Sequence, residues 1–389
     1  MTNFAIPRRA TQGHASGGNG LTPSRLFGLM LVGAALAILP FALGLAGQGW
    51  VRILNFALLY VMLALGLNIV VGFAGLLDLG YIAFYAVGAY TWALLGSPQF
   101  GLHLPFWAIL PCGVALACVF GVLLGAPTLK LRGDYLAIVT LGFGEIIRVF
   151  LNNLDAPVNI TNGPQGINRI DPFRIGEFAF NRTETILGIR FTGPEKYYYL
   201  LLALTLLIIV VCMRLQNSRI GRAWEAIRED EIAAKAMGIH TRNVKLLAFA
   251  MGASFGGVAG CLFASMQGFI SPESFGLMES ISVLCMVVLG GMGNIPGVIL
   301  GALLLAVLPE FLRAIIVPAQ EALFGAVLID PDAIRMLFFG VAMVVVMLVR
   351  PAGLWPSAVR KRELSRDAGA PAAVKAAAGG ASSARGGQL

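Results

Sequence analysis

The chain of 389 residues is 58% hydrophobic and only 12% charged, with positive mean hydropathy, which excludes an ordinary water-soluble domain. Its net charge of +8 would suggest nucleic acid in a soluble protein, but in a membrane chain the placement of charge matters more than its sum, and no nucleic-acid partner is expected. Cys112, Cys118, Cys212, Cys261 and Cys285 all fall in apolar runs without a CxxC pair or a His-rich companion, so neither a disulfide framework nor a metal site is expected.

A basic N-terminus with Arg8, Arg9 and Arg25 leads into "LFGLMLVGAALAILPFALGL", which has the outline of a signal peptide but the length of a membrane span. Apolar windows able to cross about 30 Å of hydrocarbon lie near residues 26–46, 51–71, 73–95, 105–128, 135–151, 197–213, 244–266, 280–292, 295–312 and 334–349. The expected fold is an all-α polytopic membrane protein of about ten transmembrane helices. A tail over 1–25 precedes the membrane domain at 26–349, and a tail at 350–389 follows it. From Glu363 that last tail turns to Ala, Gly and Ser, with too little apolar bulk to fold.

With the N-terminus cytoplasmic, the inside segments are the first tail, the turn with Lys130 and Arg132, a charged segment over 214–243 and the C-terminal tail. Counting Lys245, they hold 19 of the 28 basic residues. Positive charge in short loops resists translocation, and an even number of crossings returns the basic C-terminus to the basic side, so both termini are expected in the cytoplasm. Residues 152–196 then form one long outer loop, with "TNGPQG" (Thr161 to Gly166) its expected tip toward a partner.

Small residues recur at helical spacing at Gly121 and Gly125, at Gly252, Gly256 and Gly260, and at Gly297 and Gly301; such faces let helices approach closely in lipid. "VLGGMGNIPG" (Val288 to Gly297) is expected to be a tight turn or a broken helix. Gly72-Phe-Ala-Gly75 and Gly257-Val-Ala-Gly260 hint at an internal repeat.

Few motifs suggest chemistry. No lysine follows a glycine, so the GxxxxGK[ST] phosphate loop is absent and the chain is not its own P-loop ATPase. "GASFG" matches GxSxG at Ser254, but all three histidines fall outside the spans, so no base is expected beside it. Ionisable groups inside apolar runs mark a pathway or a pair. Asp78, near the cytoplasmic end of its span, is a candidate for the pathway, for snorkelling or for a hydrogen-bonded helix start. Glu145 stands three residues before Arg148 on one helix face and is read first as an ion pair and second as a pathway group.

"RAWEAIREDEIAAKAMGI" (Arg222 to Ile239) contrasts with everything around it. The thirty residues from Arg214 to Asn243 carry ten formal charges. Read as one helix, Trp224, Ile227, Ile232 and Met237 point around the whole wheel between charges, Glu231 and Lys235 form an i, i+4 pair, and Gly238 supplies the stop. Such a helix is expected to pack on its own domain and to be gripped by a second protein.

"GLLDLGYIAFYAVGAY", "LRGDYLAIVTLGFGEIIRVFLNN", "GRAWEAIREDEIAAKAMGI", "SPESF", "VLGGMGNIPG" and "RPAGLWP", in this order from about Gly66 to Pro356, resemble the LivM-type permease subunit of bacterial branched-chain amino-acid ABC importers. The resemblance implies a non-catalytic, multi-pass inner-membrane permease paired with a homologous second permease, two cytoplasmic P-loop ATPases and a periplasmic amino-acid-binding protein. It implies no cofactor of the chain's own, ATP being bound by the partner subunit. Residues 214–243 become the coupling segment, with Gly221, Arg222, Arg228, Glu229, Asp230, Glu231, Ala233, Ala234 and Gly238 as candidate ATPase-coupling residues. Ala233, Ala234 and Gly238 fit the "EAA" region of such importers. Ile232 stands where its glutamate would be, and its later Leu-Pro falls on Ala250 and Met251. The competing expectation is an ion-coupled secondary transporter of small amino acids or amides that uses Asp78 or Glu145.

Overall fold

The computed structural model describes residues 23–324, apart from 129–130, 132, 156–157, 177 and 187–188, together with scattered positions between 337 and 348 and residues 353–355. Most of the expected window at 334–349 and of both tails, together with Lys130 and Arg132, lies outside the described residues. Within them the chain is an all-α polytopic membrane protein. The helices are α1 (Pro23–Ala46), α2 (Gln48–Asn68), α3 (Ile82–Leu95), α4 (Phe106–Thr128), α5 (Asp134–Asn152), α6 (Gly193–Gln216), α7 (Arg219–Glu229), α8 (Glu231–Ala236), α9 (Thr241–Gln267), α10 (Leu277–Gly290) and α11 (Ile295–Phe324). Among the described residues, seven helical segments are long and apolar enough to span a membrane, and Gly33–Gly44 and Ile82–Leu95 are shorter apolar helices.

The core is built on α2, α3 and α9. Nearly all of the apolar window in α2 is buried, whereas α4, α6 and α11 bury about a third of theirs and turn apolar faces such as Val119, Leu207 and Leu304 outward. The glycine faces have the role their spacing implies. A methyl group on Gly88 would strike the backbone of Gly257, one on Gly260 the backbone of Tyr85 and Ala89, and one on Gly121 the side chain of Ala253. Gly290, Gly297 and Gly301 bring α10 and α11 together in the same way. Val288 to Gly297 resolves as the end of α10, a tight turn and the start of α11, the turn requiring φ of +111° at Gly291 and +82° at Gly293.

The third span departs from expectation. Residues 73–95 read as one helix, but α3 begins only at Ile82 and covers about 21 Å at 1.5 Å per residue. Before it, α2 widens into a π turn at Ile69–Phe73, and Gly75, at φ +69°, takes the chain into an irregular stretch that runs to Tyr81. Side chains replace the missing helical partners: Leu79 N–H donates to Thr140 Oγ1 (3.0 Å), Gly80 N–H to Asp78 Oδ1 (2.9 Å) and Ile82 N–H to Ser280 Oγ (3.2 Å). Irregular backbone inside the membrane survives only where protein satisfies it in this way. The suggested repeat fails locally, because Gly72 to Gly75 ends a helix whereas Gly257 to Gly260 lies within α9.

The long loop between α5 and α6 folds over one end of the bundle. Short hairpins pair Arg174–Ile175 with Phe178–Ala179 and Glu184–Ile186 with Ile189–Phe191, and Ile167–Asn168 pairs with Phe269–Ile270. Phe173 packs its ring on Phe106, Trp92 and Phe180, and Trp92 Nε1 donates to the Asp171 carbonyl (3.0 Å). "TNGPQG" is not a projecting tip: Thr161, Gly163 and Gly166 are buried, Thr161 donating to the Leu151 carbonyl at 2.7 Å, and only Pro164 and Gln165 are exposed. A tip needs backbone free of the domain, and this one is bonded into it.

Candidate functional site

The charged segment lies at the opposite end of the bundle and is two helices, not one. Ser218 starts α7, its hydroxyl accepting the Gly221 N–H (3.2 Å). Asp230 leaves the helical conformation and starts α8, its Oδ1 accepting the N–H groups of Ile232 (2.8 Å) and Ala233 (3.0 Å). Gly238, at φ +86°, ends α8: its N–H bonds to the Lys235 carbonyl and that of Ile239 to the Ala234 carbonyl, both at 3.1 Å, the two bonds of a Schellman stop.

This break corrects the single-wheel reading, because the segment has an inward and an outward side. Trp224 is fully buried and donates from Nε1 to the Val244 carbonyl (2.7 Å); Ile227 and Ala234 are buried with it. Ile232 and Met237 are exposed to 69% and 84%. Among the candidate coupling residues, Arg222, Glu229, Asp230, Ala233 and Gly238 are exposed. Gly221, Arg228 and Ala234 face the bundle instead, and a Cβ on Gly221 would strike the carbonyls of Leu215 and Gln216. Glu231 is bonded to the buried Lys245 of α9 at 2.7 Å. Ile232 and Met237, exposed apolar side chains amid charge, lie outside the candidate set and share an outward side only once the segment is divided into two helices.

Arg228 connects this segment to the broken span. Its Nη1 donates to the Gly72 carbonyl (2.5 Å) in the π turn of α2, and its side chain covers Gly75, where any Cβ would meet it. Gly293 closes the same corner, donating its N–H to Asn68 Oδ1 (2.9 Å).

Beyond that corner lies Asp78, 1% exposed. Its loop seats Gly80 between Thr140 and Gly144 of α5, roughly 9–15 Å along that helix from its first residue. Asp78 is therefore buried in the bundle one residue from Leu77, which lines a cavity with Ile227, Arg228 and Glu231 of the charged segment, and burial rules out snorkelling. Oδ1 holds the start of α3, whereas Oδ2 is buried without a hydrogen-bond partner; the nearby Thr140 hydroxyl donates to the Ala137 carbonyl. Glu145 follows Gly144 directly and forms the expected ion pair with Arg148 (2.9 Å), on a face of α5 where both are about one-third exposed. Ser254 has only its own helix as partner, donating to the Met251 carbonyl (2.7 Å).

A half-span with unwound backbone, a buried carboxylate beside it and a surface helix pair clamped to the same turn thus lie together in one part of the bundle. The family described as "Branched-chain amino acid transport system / permease component" matches residues 49–347. The chain belongs to this permease family. It is 44% identical over 324 residues to the high-affinity branched-chain amino acid transport system permease protein LivM of Escherichia coli strain K12, covering 80% of this chain and 71% of that one. A probable LivM of Methanocaldococcus jannaschii is 28% identical over 280 residues, covering 70% and 74% of the two chains. The permease protein LivH of Escherichia coli strain K12 is 25% identical over 300 residues, covering 76% and 90%. No solved structure matches the chain. The permease is thus a component of a branched-chain amino acid transport system, similar to both LivM and LivH, and the broken span, α5 and the α7–α8 segment all fall within the matched region.

Proposed function

We propose that this permease is the membrane subunit of an ATP-binding cassette importer that moves branched-chain, hydrophobic amino acids across the bacterial inner membrane, with both termini cytoplasmic. The observation that carries the proposal is the pair of exposed apolar side chains Ile232 and Met237 on a segment whose other face is locked into the bundle by Trp224 and Arg228. Exposed apolar anchors on a rigid element are what a protein partner grips. The partner is a separate P-loop ATPase, which binds the ATP, and two copies act in the assembly. Their closure shifts α7 and α8, and Arg228 passes the shift to Gly72 and the break before Asp78. ATP can drive the change only through contacts that differ between its two states, and this clamp is where they differ.

An ion pair one-third exposed inside an apolar span is not tolerated against lipid, so the Glu145–Arg148 face of α5 is turned to a homologous second permease and to the path between the two. Asp78 and Glu145 are the pathway residues, and a periplasmic binding protein delivers the amino acid at the end covered by the 153–192 loop.

The test is purification of the tagged permease from its own cells in mild detergent, comparing the parent chain with Ile232→Asp/Met237→Asp. These side chains are exposed, so the variant folds, and loss of two apolar anchors lowers ATPase recovery at least about tenfold. Unchanged recovery overturns the docking assignment. If the parent chain itself brings no ATPase, the importer reading falls and ion-coupled transport through Asp78 replaces it.

A further inference from the structure

We propose that the cleft between α4, α8 and α9, beside the charged segment, is a binding site for the anionic headgroup of a phospholipid. The cleft encloses about 700 Å³. Ala126 and Pro127, at the end of α4, form one wall; Lys235 of α8 and Arg242 and Lys245 of α9 supply the charge. Glu231 is the one acidic side chain among the described lining residues, and Lys245 already holds it at 2.7 Å, which leaves the lining with a net charge of +2. The first turn of α9 opens here as well. Thr241 lines the cleft and the cap residue His240 makes no side-chain bond to the N–H groups of that turn, so their partial positive charge adds to that of the cations.

What distinguishes a lipid from a soluble anion is the surface that continues from the cleft. Leu116, Val119 and Leu123 are exposed at three- and four-residue spacing along α4 and lead directly to Ala126 and Pro127, and Leu247 of α9 is exposed nearby. A basic pocket at the polar end of a membrane helix, heading an apolar strip, matches a phosphate group joined to an acyl chain. A free phosphate would use the cations and leave the strip without a role. The cleft uses neither Asp78 nor Glu145, and it adjoins the break through Glu231 and Lys245, which also line the cavity against Gly75 and Leu77.

The experiment is native mass spectrometry of the full-length permease, with its co-purifying subunits, released from nanodiscs of phosphatidylglycerol mixed with phosphatidylcholine. The parent protein is expected to retain phosphatidylglycerol selectively, and Lys235→Gln/Arg242→Gln to weaken that retention roughly 30-fold, about fivefold for each cation near the surface. The charge-conserving Lys235→Arg/Arg242→Lys pair restores it, separating loss of charge from loss of fold. Equal retention in parent and Gln variant overturns the proposal. Displacement of the lipid by an equal concentration of inorganic phosphate overturns it in favour of a free-anion site. Loss of the co-purifying ATPase with phosphatidylglycerol retained overturns it in favour of a protein contact.

Discussion

Arg228 and Gly72 lie 156 residues apart in sequence, yet the guanidinium of one donates to the carbonyl of the other at 2.5 Å. The acceptor belongs to a π turn, whose widened geometry displaces carbonyls from the regular helical ladder and makes them available to outside donors. A surface helix is thereby tied to the point at which the third span loses its helix.

Arg228 is expected to carry coupling more than assembly. Arg228→Ala removes a charge-assisted bond of about 1.5–3 kcal/mol, and Arg228→Lys, lacking the planar fork, does not fully replace it. Amino-acid uptake should fall about tenfold or more in the Ala variant, with ATPase recovery held within about twofold because the side chain points inward. Uptake at the parental rate in the Ala variant would show that the link is only structural.

Trp224 and Ile232 should separate folding from docking. Trp224→Ala empties a fully buried site and loses the bond to the Val244 carbonyl, at a cost of about 3–5 kcal/mol. Ile232→Ala changes an exposed position and should fall within about 0.5 kcal/mol. Thermal unfolding of the purified permease in detergent reads both; equal midpoints would contradict the inward and outward division of α7 and α8.

Glycine contacts predict an asymmetric response to a single methyl group. Gly88→Ala forces α3 away from the Gly257 backbone of α9, whereas Gly142→Ala, which meets nothing within 4 Å, leaves the packing unchanged. Overpacking costs about 1–3 kcal/mol, so the yield of monodisperse protein on size-exclusion chromatography should fall for Gly88→Ala alone.

Asp78 tests the source of energy. Asp78→Asn keeps an oxygen acceptor for the Gly80 N–H and should fold normally, whereas Asp78→Leu leaves that buried donor unpaired at a cost of about 1–3 kcal/mol. With ATP-driven uptake, the Asn variant transports without dependence on an ion gradient, as the parent does. Uptake that an uncoupler abolishes in the parent, and that Asp78→Asn loses, would identify an ion-coupled carrier instead.

Much of the permease was legible along the chain. Composition and run length determined a polytopic helical membrane protein, glycine spacing located the close helix contacts, and the three-residue interval joined Glu145 to Arg148. These are local or periodic properties, carried by neighbours on one helix. The tertiary structure decided the rest, because it depends on partners distant in sequence. Hydropathy could not locate the break before α3, since residues 73–81 continue an apolar run and the irregular backbone is satisfied in part by Thr140 and Ser280, on other helices. Nor could a helical wheel divide the charged segment: Asp230 starts a second helix within it, and the inward side was settled by a carbonyl at Val244 and another at Gly72.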